Sequence, residues 1–201
     1  MKTQRILLIM IALMLLYSAS QGQSFIGLGV NFSSVYDSDL PLEHRYSSSP
    51  AITLGRQFGG ESKLKAIIEL QYSVKGFRIK GAYIDDGTFI PQANSNLRIH
   101  YLDFVPTLEF PFINKFNVII GADAAFKLLD TYNDIQLQEF KMKPHQPFDY
   151  GYVIGGKIAY KQYWLRATLN KGLTNIAESG SGNQYKNINV QLVLGFKIQK
   201  Y

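Results

Sequence analysis

Cysteine is absent from all 201 residues, which excludes disulfide staples, thiolate zinc sites, a cysteine nucleophile and the lipidated cysteine of a lipoprotein. Charge is sparse at 18% against 46% hydrophobic residues, a balance that excludes a disordered chain. Long apolar runs are also missing: after Leu16 no stretch approaches the ~20 residues that a spanning helix needs. A chain like this one crosses a membrane, if at all, as strands. Neither a repeat nor a linker divides it, so its length implies one folded domain. The formal charge of +6 comes from basic residues scattered along the chain, two of them in its first five positions, and leaves no nucleic-acid footprint.

The N-terminus reads as a signal peptide over residues 1–22. Lys2 and Arg5 form a charged start, Ile6 to Leu16 an unbroken apolar stretch, and Ser18-Ala19-Ser20 the small residues of a cleavage site. Cleavage is expected between about residues 20 and 23, leaving 24–201 as the mature domain. The rival reading, a membrane anchor, meets an apolar stretch roughly half the ~20 residues required.

Beyond Ser24 the hydrophobic period is two, and it recurs eight times. Ile26, Leu28, Val30 and Phe32 alternate with Gly27, Gly29, Asn31 and Ser33, and near the C-terminus Ile188, Val190, Leu192, Leu194 and Phe196 alternate with Asn187, Asn189, Gln191 and Gly195. Between them, Ala51 to Phe58, Leu64 to Lys75, Leu97 to Phe110, Phe116 to Leu128, Phe148 to Tyr160 and Tyr163 to Leu173 show the same pattern. The breaks are chiefly Ile67, Val105, Val153 and Val193 on the polar face and Arg56 on the apolar one.

A soluble lipocalin-like sheet also alternates, but three features favour a membrane barrel. Connections alternate between short (Gly59 to Ser62, Pro111 to Lys115, Lys161-Gln162) and long (Tyr36 to Ser49, Arg78 to Asn96, Leu129 to Pro147, Thr174 to Lys186), the asymmetry of short periplasmic turns and long extracellular loops. Aromatic pairs such as Phe116 with Phe126 and Tyr150 with Tyr160 stand ten residues apart; at ~3.3 Å per residue and a tilt of about 40° this spans roughly 25 Å, the height of a lipid-facing band. No amphipathic helix remains to cover the apolar face, so lipid is its natural cover. The predicted fold is all-β: an eight-stranded antiparallel up-and-down transmembrane barrel in the outer membrane.

The opposite face carries Lys65, Lys127, Lys157, Arg166 and Lys197 with Glu69, Asp103, Glu109, Asp123 and Asp149. Eight strands enclose an interior just wide enough for side chains. These charges are therefore expected to pair across the lumen as a structural network, since an unpaired buried charge costs several kcal/mol. An ion or proton path is the functional alternative.

Chemistry-bearing motifs are absent. His44, His100 and His145 stand at no metal-ligand spacing from one another, so no metal or cofactor is expected. A His/Asp/Ser site at the extracellular rim, drawing on these histidines with Asp37, Asp39, Asp85, Asp86 and Asp149, is the enzymatic alternative to a chain with no catalytic residues. Gly27-Leu28-Gly29 and Gly180-Ser181-Gly182 lack phosphate-loop spacing, and Asp85-Asp86-Gly87 reads as a turn.

Four segments in order resemble the PorT-like outer-membrane β-barrel family of Bacteroidetes-type bacteria: Gly29-Val30-Asn31-Phe32-Ser33, Glu69-Leu70-Gln71-Tyr72-Ser73-Val74-Lys75-Gly76, Tyr101-Leu102-Asp103-Phe104-Val105-Pro106 and Gly172-Leu173-Thr174-Asn175-Ile176. The resemblance implies an eight-stranded barrel without common catalytic residues, and an extra residue before Pro106 points to a bulge there. The family name derives from a component linked to type IX secretion, a role that membership does not transfer.

The functional expectation is a non-enzymatic, packed scaffold, monomeric, surrounded by outer-membrane lipid, that presents extracellular loops for binding. Tyr83, Ile84, Phe89 and Ile90 in one loop, and Ile135, Leu137, Phe140 and Met142 in another, carry apolar surface fit for a partner, unless the strands continue outward and pair them. The alternatives are an accessory subunit of a secretion or surface-assembly machine, partnered with another envelope protein, and a small channel.

Overall fold

A computed structural model describes residues 22–36, 42–59, 64–83, 89–91, 96–132, 143–144, 146–178 and 184–198. Strong period-two patterning draws the chain into eight long strands: β1 (Gln23–Tyr36), β2 (Leu42–Phe58), β3 (Lys65–Tyr83), β4 (Asn96–Ile113), β5 (Phe116–Tyr132), β6 (Phe148–Tyr160), β7 (Tyr163–Gly172) and β8 (Gln184–Lys197). Each pairs antiparallel with its sequence neighbours, and β1 pairs with β8 from Phe25↔Lys197 to Tyr36↔Lys186, so the sheet closes on itself. Closure leaves no free edge along the barrel wall. This is the eight-stranded all-β barrel that the sequence predicts.

The outward wall is apolar. Leu28 and Leu194 are 63% and 60% exposed, and Ile52, Leu54, Leu70, Leu102, Phe104, Ile120, Ile154 and Leu165 are exposed on the same face. Aromatic rings gather towards both rims: Phe58, Phe110, Phe116, Tyr160, Tyr163 and Phe196 near the tight turns, and Phe32, Tyr72, Phe126 and Phe148 towards the other end. Across the strands, Tyr163 and Phe196 place their rings 5.6 Å apart, and Phe126 and Phe148 place theirs 5.2 Å apart.

The tight turns reverse the chain with a left-handed residue at Asn114 (φ 45°) and at Lys161 (φ 55°). At the opposite, loop end the strands run further than their alternation indicates. β2 pairs with β3 out to Leu42↔Ala82, and Gly81–Tyr83 pairs with a short strand at Phe89–Pro91. Much of the two stretches read as loops, Tyr36 to Ser49 and Arg78 to Asn96, is thus paired backbone, because hydrogen bonding carries a hairpin on after its apolar alternation ends. Further short strands, Lys143–Pro144 and Ala177–Glu178, pair with each other, and the latter pairs with the start of β8.

The bulge expected before Pro106 is absent. β3 and β4 pair in unbroken register from Lys65↔Glu109 to Arg78↔Asn96, with Ile68 opposite Pro106. Two irregularities lie elsewhere in the β4–β5 pair: His100 pairs with Leu129 but Tyr101 with Lys127, so Leu128 is an extra residue in β5, and Pro111 pairs with Asn117 but Ile113 with Phe116, so Phe112 is an extra residue of β4 beside the turn. Towards β5 the pairing skips Val105 and Pro106 without a change of register, from Phe104↔Ala124 to Thr107↔Gly121, so the missing proline donor is met by a local interruption and not by an extra residue.

Candidate functional site

The polar face of every strand turns into the lumen, and the lumen is filled in layers. Nearest the tight turns lies an apolar plug of Phe25, Ile67, Trp164 and Val193, against which Ala159 packs. Phe25 and Trp164 meet edge to face at 5.4 Å. Their rings fit because the neighbouring positions are glycine: a Cβ on Gly195 would lie 2.0 Å from the Trp164 ring, and one on Gly55 would lie 2.3 Å from Phe25. Ile67 and Val193, breaks in the polar alternation, are therefore parts of the plug.

Cations hold this plug from the polar side. Lys157 Nζ and the Arg166 guanidinium lie 5.6 and 5.3 Å from the Trp164 ring centre. Lys157 donates to Glu109, whose other oxygen accepts from Asn117 Nδ2 at 2.6 Å. Arg166 donates to Glu69, which also accepts from Thr53 Oγ1 at 2.9 Å and Gln71 Nε2 at 2.8 Å. Gln191 Nε2 then links Gln71 Oε1 at 3.1 Å with Asn31 Oδ1 at 2.9 Å. Such satisfaction is what makes buried charge tolerable.

Towards the loop end, Lys75 is shared by two carboxylates, its Nζ lying 3.2 Å from Asp103 and 2.9 Å from Asp123. Ser73 donates to the other Asp103 oxygen, and the Tyr101 ring lies 5.0 Å from the Lys75 ammonium. Asp149 accepts from Asn187 Nδ2 at 2.8 Å. Above them a second apolar cluster of Val35, Phe77, Leu97, Ile99, Tyr101, Ala125, Ile176 and Tyr185 closes the barrel, with Phe77 and Tyr185 stacked at 6.0 Å. Ile176 reaches it because the segment after β7 folds inward: Leu173 N–H donates to Tyr150 O, Tyr150 N–H to Thr174 Oγ1, and Ile176 N–H to Tyr185 O.

Glu69, Asp103, Glu109, Asp123, Asp149, Lys157 and Arg166 are thus brought into the lumen, each buried. Lys65, Lys127 and Lys197 are only half-buried. Lys127 pairs along its own strand with Asp130 at 3.5 Å across the β5 bulge, and among the described residues Lys65 and Lys197 form no ion pair. The pairing is therefore uneven: three carboxylates (Asp103, Asp123, Asp149) gather around Lys75. Lys75 is the lumen charge that sequence reading missed. Its parity with Lys65, Glu69, Gln71 and Ser73 is the signal that marks it, at the position where the apolar alternation of the strand ends.

His100 lies on the outer face, its Nδ1 2.6 Å from Tyr72 Oη. His44 is paired through its backbone in β2. His145, Asp37, Asp39, Asp85, Asp86, Ile84, Ile135, Leu137, Phe140, Met142, the Gly180-Ser181-Gly182 stretch and all but the last residue of the expected signal peptide at 1–22 lie outside the described residues. Among the described residues no cluster of His, Cys, Asp or Glu suits a metal ion.

No protein-family model matches the sequence, and no curated protein matches it significantly. The PorT-like resemblance accordingly stands on its four sequence segments. Solved structures do match. Neisserial surface protein A (NspA) is similar at 10% identity over 87% of this chain and 97% of its own, with a TM-score of 0.51. The fold is that of an outer-membrane β-barrel. OprG of Pseudomonas aeruginosa (10% identity, 90% and 97% covered, TM-score 0.49) and Ail of Yersinia pestis (12%, 89% and 99%, 0.48) are more distant in shape.

Proposed function

We propose that this chain is an integral outer-membrane protein of the PorT-like kind, exported by its leader, without enzymatic activity, whose sealed barrel is a scaffold for binding at its loop end. The observation that carries the reading is a broad apolar band on the outer wall around a lumen filled by two apolar clusters and buried ion pairs. Lipid supplies the cover that the outer wall lacks, and the tight turns then face the periplasm. A lumen filled in this way holds the barrel rigid and conducts nothing. What remains for recognition is the extended β2–β3 hairpin, the added strands at Phe89–Pro91, Lys143–Pro144 and Ala177–Glu178, and the connections between them.

The test is affinity purification of the tagged protein from mildly solubilised outer membranes, together with planar-bilayer recording of the purified barrel. Recovery in the detergent-soluble membrane fraction without discrete conductance steps supports the reading. Steps in the bilayer make it a channel, and recovery from the periplasm without detergent makes it a soluble barrel. A stoichiometric envelope partner held at the turn end makes it a subunit of a larger machine.

A further inference from the structure

The outer wall changes character abruptly at the loop end of β3 and β4. Outward positions on these strands run through Leu70, Tyr72, Leu102 and Phe104, all apolar or aromatic, and then reach His100, Arg98 and Arg78. Arg98 stands opposite Gly76, and Arg78 is two residues further along the same strand. The two arginines are therefore diagonal neighbours, with Cα atoms about 7–8 Å apart. Because Gly76 has no side chain, both guanidinium groups face the same open strip of wall. On the far side the backbone of Arg78 pairs with that of β2 at Arg45.

Among the described residues, Arg78 and Arg98 meet no anion. Arg78 is exposed and Arg98 half-buried, and neither guanidinium has an ion pair or hydrogen bond among the described residues. The Nε of Arg98 is buried without a partner. A partly desolvated guanidinium left so is costly unless an anion meets it. Below it, the bond between His100 and Tyr72 marks the aromatic rim where the apolar band stops. A strip of forked donors directly beyond that rim lies at the depth of lipid headgroups.

From this we infer that Arg78 and Arg98 bind phosphate on the headgroup of an outer-leaflet lipid. Planar guanidinium groups pair bidentately with phosphate oxygens, and two of them about 7–8 Å apart can engage one phosphate together or two on one headgroup. The inference rests on the membrane placement proposed above. It assigns the lipid-facing wall a specific lipid contact in addition to generic apolar contact.

The test folds the full mature chain into phosphatidylcholine vesicles containing bisphosphorylated lipid A, its monophosphorylated form, or neither, and follows thermal unfolding through the fluorescence of Trp164. Bisphosphorylated lipid A is expected to raise the unfolding temperature most. An R78Q/R98Q variant, verified as folded by an unchanged unfolding temperature in plain vesicles, is expected to need about tenfold more of it for half the effect. Should the double variant itself unfold in plain vesicles, the R98Q variant alone is compared. Equal half-effect concentrations for wild type and variant overturn the inference, as does an equal rise with inorganic phosphate alone. Insertion into every vesicle without lipid preference overturns only this inference, whereas failure to insert into any overturns the membrane reading beneath it.

Discussion

Arg166 and Glu69 hydrogen-bond across the full width of the barrel, from strands β7 and β3 that lie opposite each other in the closed sheet. The bond ties the two halves of the wall together through the lumen. Because both groups are buried, removing one strands the other. Arg166→Ala is expected to cost about 3–5 kcal/mol, while R166M/E69M, which removes both charges, costs markedly less. Urea unfolding of the folded protein in detergent micelles measures both.

Lys75 presents a sharper case, since two carboxylates depend on it. Lys75→Met is expected to destabilise the barrel by at least as much as Arg166→Ala, about 3–5 kcal/mol. Adding Asp103→Asn and Asp123→Asn to that variant is expected to restore much of the loss. The same unfolding assay decides it; a triple variant no more stable than Lys75→Met alone would show that the carboxylates were not the source of the cost.

The chain has one tryptophan, and it lies in the plug beside Gly195. Gly195→Ala is expected to displace the indole and to cost about 1–3 kcal/mol through overpacking. Its spectroscopic sign is a red shift of tryptophan emission and easier quenching by acrylamide from the turn end. Trp164→Phe in the same background is expected to recover stability, because a smaller ring vacates the contested space.

A charge on the outer wall tests the lipid cover. Leu28 is the most exposed residue of the β1 apolar stripe. Leu28→Arg is expected to lower the stability of the vesicle-inserted barrel by about 2–4 kcal/mol, the cost of a cation near the bilayer midplane. In a soluble barrel the same change would be nearly neutral. Comparing wild type and variant by unfolding from lipid vesicles separates the two.

Alternation was enough to read eight strands, their faces and the inward placement of Glu69, Asp103, Glu109, Asp123, Asp149, Lys157 and Arg166, because a strand's side chains have no choice but to point to opposite sides, while the barrel needed the connection lengths and aromatic spacing as well. Lys75 and Trp164 obey the same rule but are not among the inward residues that the sequence reading names, and nothing local to either announces its partner. Which charges meet depends on distance across the lumen: Arg166 finds Glu69 from 97 positions away, and Asp103 and Asp123 converge on one ammonium, while Lys127 turns aside to Asp130 at a bulge. Those outcomes and the inward fold of Thr174 to Ile176 follow from closure of the sheet, and the continuation of the hairpins beyond the apolar band follows from backbone pairing, which no side-chain period reports. Periodicity is a property of neighbours in the chain, whereas pairing across a barrel is set by shear, tilt and the volume left between rings and glycines.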